Sequence, residues 1–302
     1  MKSVEATTPP GASVSVRAFR RVLLDFVTLT KPRVNVLVVF TTFVGLVLAA
    51  PHADASLLVH TLFGTALVAS GAAAFNQVLE RDVDARMPRT RNRPLPDARL
   101  GLSEAVWFAT ALSLIGLVEL AFGANLLAAC VALATIASYA LIYTPLKRVT
   151  SLSTVVGAVP GALPPVIGWA AGRGHLSIEA AILFAIVFLW QMPHVLAVSW
   201  LYRADYEQGG IVVLPVIEPD GASTARQAVT YSAALIPVSL MPVLAGLGGM
   251  VYVTGALLAG LVMLGASVSF ARTRTAPQAK RLFMVSVAYL PILWLLLLAD
   301  RV

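Results

Sequence analysis

Charged residues are scarce in this chain: Asp, Glu, Lys and Arg together supply 12% of 302 positions. So little charge cannot cover a water-soluble globule of this length, which excludes a cytosolic enzyme. Cysteine is nearly absent too. The lone Cys130 excludes an intrachain disulfide and a cysteine metal cluster, and its place inside an apolar run reads as packing. Acidic residues are outnumbered, at 15 against 22 lysines and arginines, for a formal net charge of +7. In a soluble protein that balance would invite nucleic acid. Here the bases sit in short loops between apolar runs, so lipid headgroups and a charged substrate are the expected partners, and no nucleic acid.

The chain is rich in hydrophobic residues, at 58% with a mean hydropathy of +0.83. Charge-free runs cover residues 34–53, 55–79, 105–118, 120–146, 149–172, 180–202, 227–271 and 282–299. A bilayer core of about 30 Å takes roughly 20 apolar residues per helix. The run over 227–271 is too long for one crossing and is expected to turn near Gly246, Gly248 and Gly249, while Gly123 and Asn125 mark a similar turn. The prediction is an all-α polytopic membrane protein of nine transmembrane helices, one domain over residues 17–302. Residues 1–16, rich in Ser, Thr, Pro, Gly and Ala, read as a disordered cytoplasmic tail without a cleavable signal.

Alternate loops test this topology. All lysines and arginines except Arg173 and Arg301 fall on one side. The positive-inside rule then places the N-terminus in the cytoplasm and the C-terminus on the periplasmic side of a bacterial inner membrane.

Two loops on the basic side also carry acids. The first reads Asn76-Gln-Val-Leu-Glu80-Arg-Asp82-Val-Asp84, then Arg86, Arg89, Arg91 and Arg93. Four-residue steps rotate by about 40°, so Asn76, Glu80 and Asp84 share one helical face, whereas Asp82 joins them only if the helix unwinds. Stacked oxygen ligands suit Mg²⁺, which takes one or two carboxylates and fills its octahedron with water and phosphate oxygens. Arginine forks bind phosphate bidentately, so acids followed by arginines read as a metal–diphosphate cradle. A solvated loop whose acids neutralise its arginines is the alternative.

The second cluster runs Trp190-Gln191-Met-Pro193-His194, then Tyr202, Arg203, Asp205, Tyr206 and Glu207. Asp205 and Glu207 offer carboxylates to a second cation, although two residues apart they do not share a helical face. His194 lies within an apolar run beside Pro193, as a functional candidate or as a histidine bonded between helices. Between the clusters, Tyr143-Thr-Pro-Leu-Lys147-Arg148 brings two bases to the same side, for diphosphate or for topology alone. Gly157, Pro160, Gly161, Pro164, Pro165 and Gly168 mark a broken or closely packed fifth span.

Together these segments, with Leu29-Thr30-Lys31-Pro32-Arg33, resemble the protohaem IX farnesyltransferase (haem O synthase) family of the UbiA-type intramembrane prenyltransferases. The resemblance covers nearly all the chain after the tail. It implies a nine-helix bundle opening to the cytoplasm, with Mg²⁺ and farnesyl diphosphate at acid-rich helix ends. The superfamily pattern Asn-x-x-x-Asp-x-x-x-Asp appears as Asn76, Glu80 and Asp84, with Asp82 as an additional acid, and Glu in the first Asp position is the form of the haem-farnesylating branch. In the second motif Asp205 matches, Gly209 stands where aromatic-acid prenyltransferases keep an Asp, and Glu207 is the substitute.

By the same resemblance, Arg89, Arg91, Arg93, Lys147 and Arg148 would hold diphosphate, with Tyr202 and Arg203 beside it. Tyr143 would act in catalysis, and Trp190, Gln191 and His194 would recognise haem. The substrates would be haem B and farnesyl diphosphate, and the product haem O would pass to a partner such as haem A synthase or a terminal-oxidase assembly protein. No CxxCH sequence exists for covalent haem attachment, so haem is a reversible substrate. A sister enzyme prenylating an aromatic quinone precursor would share this fold and cradle. A membrane haem or lipid transporter is a reading from another class, and needs no diphosphate cradle.

Overall fold

The computed structural model describes residues 10–301, which are helical with mostly short connections and one long one over residues 85–101. Among the described residues, nine helical segments are long and apolar enough to cross a bilayer. The chain begins with α1 (Pro10–Leu29). Part of the expected tail, residues 1–9, lies outside the described residues, while residues 10–16 belong to α1. Proline is well tolerated at such a helix start, where its missing N–H has no partner to lose.

The first three spans are α2 (Pro32–Ala49), α3 (Ala55–Leu79) and α5 (Leu102–Gly123), with the one-turn α4 (Arg81–Asp84) following α3. The fourth span starts as α6 (Leu126–Ala137), passes through a π-helical segment, Ser138–Tyr143, and ends in α7 (Thr144–Leu146). Asn125 caps α6, its side chain accepting from the Ala128 N–H, as its place in the expected turn suggests. The fifth span is broken in two, α8 (Ser153–Ala162) and α9 (Pro164–Arg173), because Pro164 and Pro165 remove the donors that would continue the ladder.

The sixth span, α10 (Ile178–Leu201), is followed by the short α11 (Arg203–Gly209) and α12 (Leu214–Ile217). The last three spans are α13 (Ala222–Leu244), α14 (Met250–Thr273) and α15 (Ala276–Ala299). The long apolar run does turn where its glycines cluster, at Gly246 with φ 71°.

Lipid is as apolar as leucine, so packing rather than hydrophobic expulsion holds the spans together. The α2–α9 seam depends on two glycines: a Cβ on Gly45 would lie 2.1 Å from the Pro165 carbonyl oxygen, and one on Gly168 would lie 2.0 Å from that of Thr42. Hydroxyl pairs join the later spans, Ser232 with Ser267 at 2.7 Å and Ser239 with Tyr289 at 2.8 Å. Cys130 does not pack in the core; it is exposed on the bundle's periphery, on the face α6 turns outward.

One end of the bundle gathers the connections that carry most of the bases. There α1 is tied down by Arg99, whose guanidinium donates to Asp25, and by Gln77, whose Nε2 donates to the Leu29 carbonyl at 2.9 Å. The connection from α1 to α2 passes through Lys31 in the left-handed region, φ 49°. That turn aims the Lys31 side chain at the end of α3.

Candidate active site

Helix α3 ends at Glu80, whose φ of −99° and ψ of 6° break the helix before α4 resumes it. The break leaves Asn76, Glu80 and Asp84 on one side, and all three line a polar chamber of about 150 Å³. Each of the three side chains faces a cation. Lys31 Nζ donates to Asn76 Oδ1 at 2.8 Å, Lys147 Nζ to Glu80 Oε1 at 2.6 Å, and Arg93 to Asp84 Oδ2 at 2.7 Å. Arg89 also lines the chamber, 3.7 Å from Asp205.

The four cations in the wall outnumber Glu80 and Asp84, so the chamber carries the positive excess that a diphosphate requires. Burial first, then the positive charges of Arg93 and Lys147, lowers the Lys31 ammonium to about 8. Lys147 goes the other way. Burial would lower it, but Tyr143 and Glu80 outweigh burial and hold it above the usual lysine range. The Tyr206 hydroxyl, also in the wall, is pushed up chiefly by burial.

A hard cation fits this donor set. Asp84 Oδ1 is buried without a hydrogen-bond partner, and Asn76, Glu80 and Asp84 line the same chamber. Among the described residues no group of three or more His, Cys, Asp and Glu side chains converges. Two carboxylates and an amide oxygen would be a sparse set, of the kind with which Mg²⁺ relies on phosphate and water.

Beside the chamber lies an apolar cavity of about 180 Å³, walled by α2, α3, the fourth span and the α8–α9 break. Val38, Ala69, Ala72, Ala73 and Gly161 keep it wide and greasy. Lys31 and Tyr139 line both spaces and form the boundary between them.

The other sequence candidates are placed around this centre. Tyr143 lines neither space; its ring lies 4.4 Å beneath Lys147 Nζ and presses on Gly157. Tyr202 stacks under Arg89 at 4.7 Å, and Arg203 turns back over Trp200 at 4.6 Å. Asp205 reaches the chamber through Arg89, whereas Glu207 is exposed. Asp82 points to solvent, 84% exposed, on the side of α4 away from Asp84, and Arg91 and Arg148 are exposed as well.

The haem-recognition group is not brought to the chamber. Trp190 Nε1 donates to the Ser286 carbonyl, and His194 Nδ1 lies 2.8 Å from Ser286 Oγ. The imidazole is layered between Trp190 and Phe283, in the α10–α15 seam. Gln191 donates to the Ala158 carbonyl at 2.7 Å, and its Oε1 backs onto Gly161 at the cavity wall.

Lys31, Tyr139, Thr144 and Tyr206 are site residues beyond the sequence candidates. Thr144 Oγ1 accepts from Asn76 Nδ2 at 3.4 Å and donates to the Tyr139 carbonyl at 2.8 Å. The i,i+4 spacing of Tyr139 and Tyr143 was a visible signal; the π turn between them was not.

The sequence profile of the UbiA prenyltransferase family matches residues 38–290. The chain belongs to that family. It is 49% identical to a protoheme IX farnesyltransferase of Solibacter usitatus over 92% of this chain and 98% of the relative. It is 42% identical to one of Koribacter versatilis, over 92% and 94%. Among solved structures, it is similar to a digeranylgeranylglyceryl phosphate synthase structure with a TM-score of 0.78 at 16% identity, covering 92% of this chain and 98% of that one. A UbiA homologue from Archaeoglobus fulgidus bound to DMAPP and Mg²⁺ superposes with a TM-score of 0.64 at 14% identity, over 90% and 99%. At those identities the structures establish the UbiA fold for this chain.

Proposed function

We propose that this protein is a protohaem IX farnesyltransferase, which transfers the farnesyl group of farnesyl diphosphate to a vinyl group of haem B, adds water and yields haem O and diphosphate. The carrying observation is the join between spaces: a cation-rich chamber with three oxygen ligands continues, past Lys31 and Tyr139, into an apolar cavity. An amphiphile with a charged head and a greasy tail matches that sequence of environments. Relatives named protoheme IX farnesyltransferase along nearly the whole chain support haem as the acceptor.

Asn76, Glu80 and Asp84 would hold Mg²⁺, which when bound neutralises negative charge on the diphosphate. Arg93 and Lys147 stabilise the charge that grows there as the allylic C–O bond breaks, with Lys31 and Arg89 beside them. Tyr143 supports the Lys147 ammonium from behind. The apolar cavity keeps water from the allylic carbon until the vinyl group has attacked. Asp205 positions Arg89, and Glu207 is the remaining candidate for a second metal.

The chamber lies at the end of the bundle where the bases collect, which supports an opening to the cytoplasmic side of a bacterial inner membrane, with the N-terminus cytoplasmic and the C-terminus periplasmic. The product, insoluble in water, is handed to another membrane protein, such as haem A synthase or a terminal-oxidase assembly partner. Purified protein given Mg²⁺, haem B and farnesyl diphosphate is expected to form a heavier, more hydrophobic haem detectable by chromatography and mass spectrometry. No such haem, under conditions in which a control enzyme makes it, refutes the proposal.

A further inference from the structure

Tyr139 stands where the two spaces meet, and none of the chemistry above uses its hydroxyl. Three observations converge on it. It lies in the π-helical segment Ser138–Tyr143, a winding that is rare and concentrated at functional sites. It lines both the polar chamber and the apolar cavity, a property shared only with Lys31 among the residues lining the two. Among the described residues, no group pairs with its phenolic hydroxyl, although its backbone carbonyl is held twice, by the N–H and the Oγ1 of Thr144.

The Thr144 link matters because the same hydroxyl accepts from Asn76, one of the three oxygen-bearing residues of the chamber. Tyr139 is thereby fixed relative to the proposed metal–diphosphate site. Its ring also leans on Tyr143, with centroids 5.3 Å apart, and Tyr143 in turn supports Lys147. Such bracing holds a donor still, which is the requirement for stabilising charge that appears only in a transition state.

We propose that Tyr139 is a catalytic residue for prenyl transfer, its hydroxyl donating to the bridging oxygen of the prenyl diphosphate while its ring shields the adjacent allylic carbon from chamber water. The inference rests on the farnesyltransferase reading. With the diphosphate among the chamber cations and the tail in the apolar cavity, the bond to be broken lies at their boundary. That C–O bond breaks with both electrons passing to the bridging oxygen, which leaves as part of diphosphate. The vinyl π electrons form the new C–C bond to the allylic carbon. Water then adds to the resulting cation and releases one proton, so haem B, farnesyl diphosphate and water give haem O and diphosphate. Tyr139 keeps its own proton throughout.

The test compares wild type, Tyr139→Phe and Tyr139→Leu with Mg²⁺, farnesyl diphosphate and haem B. It measures diphosphate release, haem O and free farnesol. Binding is measured separately by calorimetry with the slow-reacting thiolo analogue, in which sulfur replaces the bridging oxygen and can still accept a hydrogen bond. Tyr139→Phe is expected to lower kcat about 100-fold, with KM and analogue affinity within about twofold because the donated hydrogen bond forms as charge develops. Tyr139→Leu is expected to send a larger share of cleaved farnesyl groups to farnesol. Wild-type kcat in Tyr139→Phe overturns the inference alone, and so does a loss of analogue affinity that accounts for the whole loss of turnover. A wild-type protein that makes no haem O overturns the farnesyltransferase reading, and this inference with it.

Discussion

Lys147 Nζ lies 2.6 Å from Glu80 Oε1, joining residues 67 apart in sequence across the wall of the chamber. The pair is almost buried, with side chains 14% and 11% exposed. In that setting a charge without its partner is costly, about 3 kcal/mol or more for a broken buried pair. Tyr143 and Glu80 outweigh burial and hold the ammonium above the usual lysine range, so the contact joins two opposite charges.

Lys147→Met is therefore expected to do two separable things. It strands Glu80 and lowers the thermal unfolding midpoint, and it lowers turnover at least 100-fold by removing a cation from the leaving group. Lys147→Met combined with Glu80→Gln should recover most of the thermal stability and none of the activity. Differential scanning of detergent-solubilised protein, alongside a haem O assay, reads both; recovery of turnover in the double variant contradicts a role for Lys147 at the diphosphate.

Asp84 and Asp82 provide an internal control two residues apart. Asp84 is buried, bonded to Arg93 and left with one oxygen free, while Asp82 is 84% exposed. Asp84→Asn should abolish turnover and weaken Mg²⁺-dependent binding of a farnesyl diphosphate analogue at least tenfold. Asp82→Asn should leave both within about twofold, as substitutions of exposed residues usually do. Chelating divalent ions should reproduce the Asp84→Asn defect in wild type, with added Mg²⁺ restoring it. Equal effects of the two substitutions on turnover would sink the metal assignment.

These contrasts also show what a reader of the sequence alone could see. The spans were legible because hydropathy acts locally, run by run, and the Asn76–Glu80–Asp84 face was legible because it repeats with the helix. The residue pairs that complete the chamber are different in kind. Lys31 looks like one more base in a positive-inside loop until a left-handed turn at its own position sets it against Asn76. Tyr139 depends on a π turn that no periodicity announces. His194 and Ser286 lie 92 residues apart, so nothing near His194 in the sequence told which neighbour its imidazole would meet.

The apolar cavity makes a prediction about chain length. Ala72 lies in its wall and is nearly buried. Ala72→Phe puts a ring into a space of about 180 Å³, leaving the polar chamber untouched. Farnesyl diphosphate should then show a KM raised at least tenfold, whereas a five-carbon prenyl diphosphate should bind as it does to wild type. Unchanged farnesyl kinetics in a correctly folded Ala72→Phe variant would mean that the tail lies elsewhere.

His194 separates a haem contact from a structural brace. Its imidazole is bonded to Ser286 and layered between Trp190 and Phe283, so its geometry is that of a strut between α10 and α15. It lines neither the chamber nor the apolar cavity among the residues that wall them. Removing the ring takes the interhelical bond from Ser286 Oγ, which still donates to the Phe283 carbonyl, and the lost bond costs about 1 kcal/mol, the scale of a single interhelical hydrogen bond in a membrane protein. His194→Ala is thus expected to lower the unfolding midpoint by a few degrees, while bound haem B keeps its Soret maximum and turnover falls less than fivefold once folded protein is counted. A ligand to the haem iron would behave otherwise: its loss moves the Soret band and weakens haem binding whatever happens to the midpoint. A shifted Soret band in His194→Ala would return His194 to the haem site and require α10 to turn toward the substrate.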